Sequence, residues 1–298
     1  MNNKVKGLIE IHIATFLFGF AALFGKFLAI SPVVIVFGRT LFAAITLGII
    51  LLFSKESFKL RLGKDYLFLF LIGSIYVLHW LAFFQSVQIS SVAICVLTFS
   101  TFPIFVTFLE PYFFREKIKT FDIIIAFITL FGVVLVIPKF EITNNLTQGA
   151  LWGLAAGISF AVLIIANKKN IQEYSSLIIC FYQNLTCAVI LMPFIIYLKP
   201  VISFNDIILL ILLGVLFTAI TQVIYIRSLT NITAQLASIV ISLEPVYAII
   251  FACIFVNEIP TIRTVIGGFT IVGAIFIATF TFKSKVIQSK HSKANLEY

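Results

Sequence analysis

The chain has 298 residues, 61% hydrophobic and 11% charged, with a formal net charge of +9 and a mean hydropathy of +1.14. Soluble domains hold about 45–50% apolar and about 25% charged residues, so a water-soluble globule is excluded for want of polar surface. The basic excess does not mark a nucleic-acid partner, because the Lys and Arg residues sit in short gaps between apolar runs and suit anionic lipid headgroups.

A helix needs about 20 apolar residues to cross about 30 Å of hydrocarbon. In chain order the runs predict spans at 8–30, 33–53, 66–86, 91–113, 121–138, 149–166, 176–198, 206–226, 233–256 and 261–282. The shortest breaks are the polar turns at 86–91 and 227–233. Lys4 and Lys6 before the first run have the form of a signal peptide. That run is longer than an h-region and no A-x-A site follows it, so it reads as an uncleaved first span. The segment 283–298 reads as a short, basic, disordered cytoplasmic tail.

With the N-terminus placed inside, the inner segments hold 16 Lys and Arg residues and the outer ones 3, and Lys26 and Arg39 fall within spans. This positive-inside bias predicts both termini in the cytoplasm of a multi-pass cell (inner) membrane protein, the 138–149 segment outside and an even number of spans.

The sequence matches itself at an offset of 142, without a gap. Phe18 meets Phe160, Lys26 meets Lys168 and Ser86 meets Ser228. Ser100 and Pro103 meet Ser242 and Pro245, Glu116 meets Glu258, and Phe127 meets Phe269. A five-span repeat is odd-numbered, so the second copy runs through the membrane in the opposite sense. Inverted repeats characterise alternating-access transporters, with the site near the midplane between them. The competing reading is a duplicated bundle that transports nothing.

Two tandem five-helix units, with Phe18-Gly19 and Lys26 in span 1 and Arg39-Thr40-Leu41-Phe42-Ala43 in span 2, resemble the EamA family of the drug/metabolite transporter superfamily. Pro103 followed by Arg115-Glu116-Lys117, and Ser242-Leu243-Glu244-Pro245 with Asn257-Glu258, carry the same resemblance. It covers about residues 8–280, with one repeat at 8–138 and the other at 149–282. It implies an all-α fold of ten transmembrane helices and transport of amino acids, amines, vitamins or other metabolites, often outward. It also implies a central cavity bounded by spans 1, 2, 3, 4, 6, 7, 8 and 9, with spans 5 and 10 at the periphery. Arg39 has Phe181 as its counterpart, so the repeats are chemically unequal.

Ionisable groups in hydrocarbon are costly and are candidates for function. Glu244, near the centre of span 9 beside Pro245, could bind a cationic group or carry a proton; alternatively it could satisfy backbone freed by Pro245. Arg39 could clamp a substrate carboxylate, or pair or snorkel toward the outer headgroups. Lys26 is expected to snorkel. Lys168 and Arg227 read as interfacial, His12 as packing or capping, and Glu110 as a partner of Arg115 or Lys117.

Span 3 sets Tyr76, His79, Trp80 and Phe83 on one helical face, and the equivalent face of span 8 carries Thr218, Thr221, Gln222 and Tyr225. An aromatic stripe alone is usually packing; opposite a polar stripe it predicts a cavity wall. Tyr76, His79, Trp80, Gln222, Tyr225 and Glu244 are therefore expected to face the cavity, with Arg39 and Gln183 near its rim. Pro103 and Pro245, in matched S-x-x-P segments, predict kinks that move. Gly153, Gly157 and Ala161 predict close helix packing.

Cys95, Cys180, Cys187 and Cys253 lie in apolar runs without CxxC spacing or a His partner and read as small hydrophobes, not as metal ligands. Asp65, Asp122 and Asp206 fall at span borders, which disfavours an intramembrane aspartyl enzyme. No HExxH, GxSG or GxxxxGK[ST] pattern occurs, so hydrolytic and ATP-driven chemistry are unsupported. The reading is a secondary transporter, an exporter of a small metabolite such as an amino acid or derivative, without enzyme activity or cofactor. The alternatives are an importer of the same fold and, in another class, a scaffold or channel. A homodimer is left open.

Overall fold

The computed structural model describes residues 3–54, 56–114, 120–137, 141, 143–274 and 276–277, without the side chains of 110–114, 121–122 and 235. The helices are α1 (Asn3–Phe27), α2 (Pro32–Ser54), α3 (Gly63–Ile89), α4 (Val92–Phe99), α5 (Phe102–Phe114), α6 (Thr120–Val136), α7 (Asn145–Asn170) and α8 (Ser176–Leu198). They continue with α9 (Phe204–Gly214), a π-helical turn (Val215–Ile220), α10 (Thr221–Asn231), α11 (Ala234–Ile241), α12 (Glu244–Phe255) and α13 (Ile262–Ala274). Among the described residues there are no strands, as a lipid-embedded chain that is not a barrel requires: each helix satisfies its own backbone.

Eight helical segments are long and apolar enough to span a membrane, counting α4–α5, α9–α10 and α11–α12 as single spans. The shorter apolar helices Ile123–Val136 and Ile262–Ala274 complete the set expected from the runs. The tail at 283–298 lies outside the described residues. Spans 4 and 9 are interrupted at matched places: α4 stops at Ser100 and α5 resumes at Phe102, while α11 stops at Ser242 and α12 resumes at Glu244. In each case proline is the second residue of the resumed helix, where its missing N–H costs nothing. The starts of α4 and α11 match as well. Ser91 Oγ accepts from Ile94 N, and Thr233 Oγ1, 142 residues on, accepts from Leu236 N.

Equivalent helices run in opposite directions. The start of α1 lies at Ile232, where a Cβ on Gly7 would stand 3.0 Å from the Ile232 side chain. The end of α7 lies there too, since Lys168 Nζ donates to Ile232 O at 2.8 Å. At the other end, Lys26 in the last turn of α1 donates to Ser90 O at 2.8 Å, and a Cβ on Gly149 in the first turn of α7 would sit 2.2 Å from Ser90 Oγ. Thus α1 and α7 are antiparallel, and each contact is the other's counterpart at the offset of 142. The helix pairings repeat this exchange: α3 packs on α7 as α10 packs on α1, and α5 on α7 as α12 on α1. Odd-numbered inverted repeats are the arrangement that yields this pattern.

Small residues set the closest crossings. Gly157 lets α7 approach α4 so tightly that a Cβ would lie 2.8 Å from Phe99 O, and Gly153 faces Thr98 and Cys95. α6 and α13 meet through Gly132 and Gly267. Their outer faces are open: Phe127 and Phe269, equivalent in the two halves, are 70% and 76% exposed, which suits lipid contact. The remaining spans share one core rich in aromatic rings.

Candidate functional site

A narrow cavity lies within the bundle. It is lined by Phe18 from α1, Tyr76, His79, Trp80 and Phe83 from α3, and Phe99 from α4. Phe160, Leu163 and Asn167 from α7, Gln222 and Tyr225 from α10, and Glu244 at the start of α12 complete the lining. The space left between them is about 20 Å³, enough for one water. The structure thus places the six residues expected to face a cavity around one void.

The polar wall is a connected network. Gln222 Oε1 accepts from Tyr76 Oη at 3.2 Å and from Asn184 Nδ2 at 2.6 Å. Gln222 Nε2 donates to Gln183 Oε1 at 2.8 Å, and Gln183 Nε2 donates to Asn167 Oδ1 at 2.5 Å. Four spans are joined by these bonds, all in buried surroundings where a lost partner would be costly. On the aromatic side, His79 rests on Phe160 with centroids 5.1 Å apart, and its Nδ1 lies 3.0 Å from Ala156 O. Since a carbonyl only accepts, Nδ1 carries a proton.

Glu244 is 4% exposed, and among the described residues no hydrogen-bond donor or cation reaches its carboxylate. The role of satisfying backbone freed at Pro245 is therefore not the one it plays here. It is the first residue of α12, so its backbone stands where the helix dipole favours negative charge, and its side chain lines the void.

Arg39 and Gln183 depart from the expected rim position. Both are 0% exposed and sit one layer behind the wall. Arg39 Nε donates to Thr218 Oγ1 at 3.0 Å, and Cζ lies 3.5 Å from the centroid of the Trp80 ring. Neither a described salt bridge nor the headgroup region holds it, contrary to the pairing and snorkelling alternatives. α2 and α8 pack against each other and reach the void only through such second-layer side chains. Lys26 also departs from expectation: it pairs with Glu258 Oε1 at 3.0 Å, and Glu258 Oε2 accepts from Val92 N at 2.9 Å. Arg227 pairs with Glu10 at 2.9 Å. Glu116 and the side chain of Glu110 lie outside the described residues.

Asn167, Asn184, Phe18, Phe99 and Phe160 were not singled out as site residues from sequence. Phe18 and Phe160 had a signal, being matched in the repeat; Asn184 sits beside Gln183 in an otherwise apolar span. The four cysteines are free thiols, three of them buried.

An inverted pair of five-helix units around a polar and aromatic cavity is a transporter architecture. The sequence profile of the EamA-like transporter family matches residues 5–137 and again 147–280. The chain belongs to this family. It is 26% identical over 272 residues, 89% of this chain and 86% of the relative, to the uncharacterized transporter YxxF of Bacillus subtilis (strain 168). It is also 26% identical to a protein named S-adenosylmethionine uptake transporter from Rickettsia prowazekii (strain Madrid E), with 63% of each chain covered. One solved crystal structure superposes with a TM-score of 0.69 over 91% of this chain and 96% of the other, at 15% identity, a likeness of fold. The protein is a transporter and not an enzyme.

Proposed function

We propose that the protein is a secondary transporter that exports a small amphoteric metabolite, an amino acid or a derivative of one, by alternating access about the central void. The carrying observation is Glu244: a buried carboxylate without a described partner, lining a narrow cavity among a polar network and aromatic rings. Such a group persists in hydrocarbon when a cationic substrate group or a transported proton compensates it. The charge bias of the loops supports a cell-membrane orientation with both termini in the cytoplasm. The inverted pairing of the two repeats supports a carrier, since alternating access works between such halves.

The test is counterflow in proteoliposomes with labelled S-adenosylmethionine and a labelled amino-acid panel as probes. Unlabelled compound inside should accelerate uptake of at least one probe. Glu244→Gln should cut that exchange by roughly tenfold or more, as loss of a buried charge contact does, while Glu110→Gln stays near the unaltered rate. Equal exchange in both variants at matched reconstitution would remove Glu244 from the mechanism. No counterflow for any probe, with leak persisting, would favour a channel. Import is a second reading, since one relative is named an uptake transporter. Expressing cells that accumulate the probe rather than expel it would establish import.

A further inference from the structure

Arg39 is the largest fully buried charged side chain of the described residues, and its two terminal nitrogens, Nη1 and Nη2, have no hydrogen-bond partner among those residues. Among the described residues, no carboxylate lies within ion-pair distance of it. A guanidinium presents five N–H donors in a rigid fork. Here one edge is used: Nε is held by Thr218 Oγ1, whose own hydroxyl is committed to Leu213 O at 2.7 Å. The face is used as well, lying on the Trp80 ring at 3.5 Å. The terminal edge is unused, although an unpaired buried cation is expensive and a cation–π contact offsets only part of that cost. The fork is thus oriented and one edge is left open, the arrangement that suits a planar oxyanion.

Trp80 also lines the central void, whereas Arg39 does not. The indole therefore stands between the guanidinium and the space a substrate would occupy. We propose that the terminal edge of Arg39 is the subsite for the carboxylate of the transported substrate, and that Trp80 is the cover that must swing aside for it to be reached. The proposal rests on the transport reading of the same void and names the group recognised there.

The two repeats give this subsite a direction. Arg39 comes from the first repeat and its counterpart is Phe181; Glu244 comes from the second and its counterpart is Phe102. Each repeat supplies one charge where the other has an aromatic ring. A substrate with a carboxylate at one end and a cationic group at the other is held in a single orientation, carboxylate toward α2. A neutral amide analogue of the same shape has nothing to offer the fork.

Trp80 itself reports on the site. The chain has two tryptophans, Trp80 and Trp152. Trp152 is half-exposed on α7, away from the void, so Trp152→Phe leaves Trp80 as sole emitter. The purified Trp152→Phe protein is titrated with sodium acetate, with acetamide, and with sodium chloride at equal ionic strength. A saturable change in emission is expected for acetate alone, because displacing the indole from the guanidinium changes its surroundings. Arg39→Gln in the same background should abolish the response, and Arg39→Lys, a point charge without the fork, should weaken it by roughly tenfold. Acetate acting no differently from acetamide or chloride would overturn the proposal, as would an undiminished response in Arg39→Gln. If Arg39→Gln fails to fold, Thr218→Val decides: the charge stays, the fork loses its anchor, and acetate affinity should fall several-fold. An unchanged affinity would show that Thr218 does not pre-orient a binding fork. Counterflow without an acetate response would sink the carboxylate assignment and leave transport standing; an acetate response without counterflow of any probe would do the reverse.

Discussion

Spans 3 and 8 hold the same place in the two repeats and have opposite chemistry. α3 is an unbroken α-helix whose inward face is Tyr76, His79, Trp80 and Phe83. Its counterpart is split by the π turn at Val215–Ile220, and only Gln222 and Tyr225 of the four equivalent positions line the void. The π turn shifts the phase of the helix, turning Thr218 toward Arg39 of α2. Thr218 and Thr221 each donate to a carbonyl five residues back, and π turns of this kind recur at functional sites. One copy supplies shape and stacking surface, the other supplies directed hydrogen bonds. Duplication fixed the helix directions and crossings; divergence between the copies made a site that can tell one end of a ligand from the other.

The sharpest way to break this comparison is to remove the polar hub and, separately, an aromatic one. Gln222→Leu leaves Tyr76 Oη and Gln183 Oε1 without their present partners and takes one from Asn184. Buried orphaned groups cost about 1–3 kcal/mol each, so a loss of roughly 2–5 kcal/mol is expected, seen as a large fall in thermal unfolding temperature. Phe83→Leu, one equivalent turn along the aromatic copy, changes shape alone and should cost about 1–2 kcal/mol. Equal losses would mean that the hydrogen bonds carry no more than packing does.

A middle-sized effect is expected at the crossing of α7 and α4. Gly157→Ala would put a methyl group 2.8 Å from Phe99 O, a backbone atom that cannot swing away. Moving the helices apart should cost about 1–3 kcal/mol and also shift Phe99 and Phe160, which pack 5.2 Å apart beside the void. A variant as stable as the parent would show that this crossing is loose, and that small residues there are incidental.

How much of this was legible follows from what each signal measures. Runs of apolar residues give helix lengths, and the offset of 142 gives the inverted pairing, because both are properties of the chain in one dimension. Depth can be counted along a span in the same way. What counting cannot give is rotation about the helix axis relative to neighbours, which turns about 100° per residue. Arg39 shows this: its height was readable, but not that Trp80 would stand between it and the void. The same limit hid Asn184, whose side chain becomes part of the network only because α8 and α10 meet there. The π turn left no mark at all, since Val-Leu-Phe-Thr-Ala-Ile reads as an ordinary apolar helix. The breaks at Pro103 and Pro245 were visible, because a proline states its own backbone requirement.

The smallest expected effect separates the two ends of the molecule. Lys26 ties the end of α1 to Ser90 O and to Glu258, across the boundary between repeats. Lys168, its counterpart, ties the end of α7 to Leu229 O and Ile232 O at the opposite end. These side chains are partly exposed, so each contact is worth about 1 kcal/mol or less and neither variant should unfold the protein. Yet 1 kcal/mol changes a two-state population about fivefold, enough to alter how often one end opens. A native thiol sits beside the first latch: Cys253 Sγ donates to Glu258 O at 3.3 Å and is half-buried. Lys26→Met should therefore raise the rate at which a maleimide modifies Cys253, by a few-fold, because Glu258 loses the cation that holds its loop. Lys168→Met acts at the far end and should leave that rate unchanged, or lower it if opening one end closes the other. The remaining cysteines are buried and can be replaced by alanine to isolate the signal. Equal acceleration in both lysine variants would mean that the ends loosen together, which alternating access forbids.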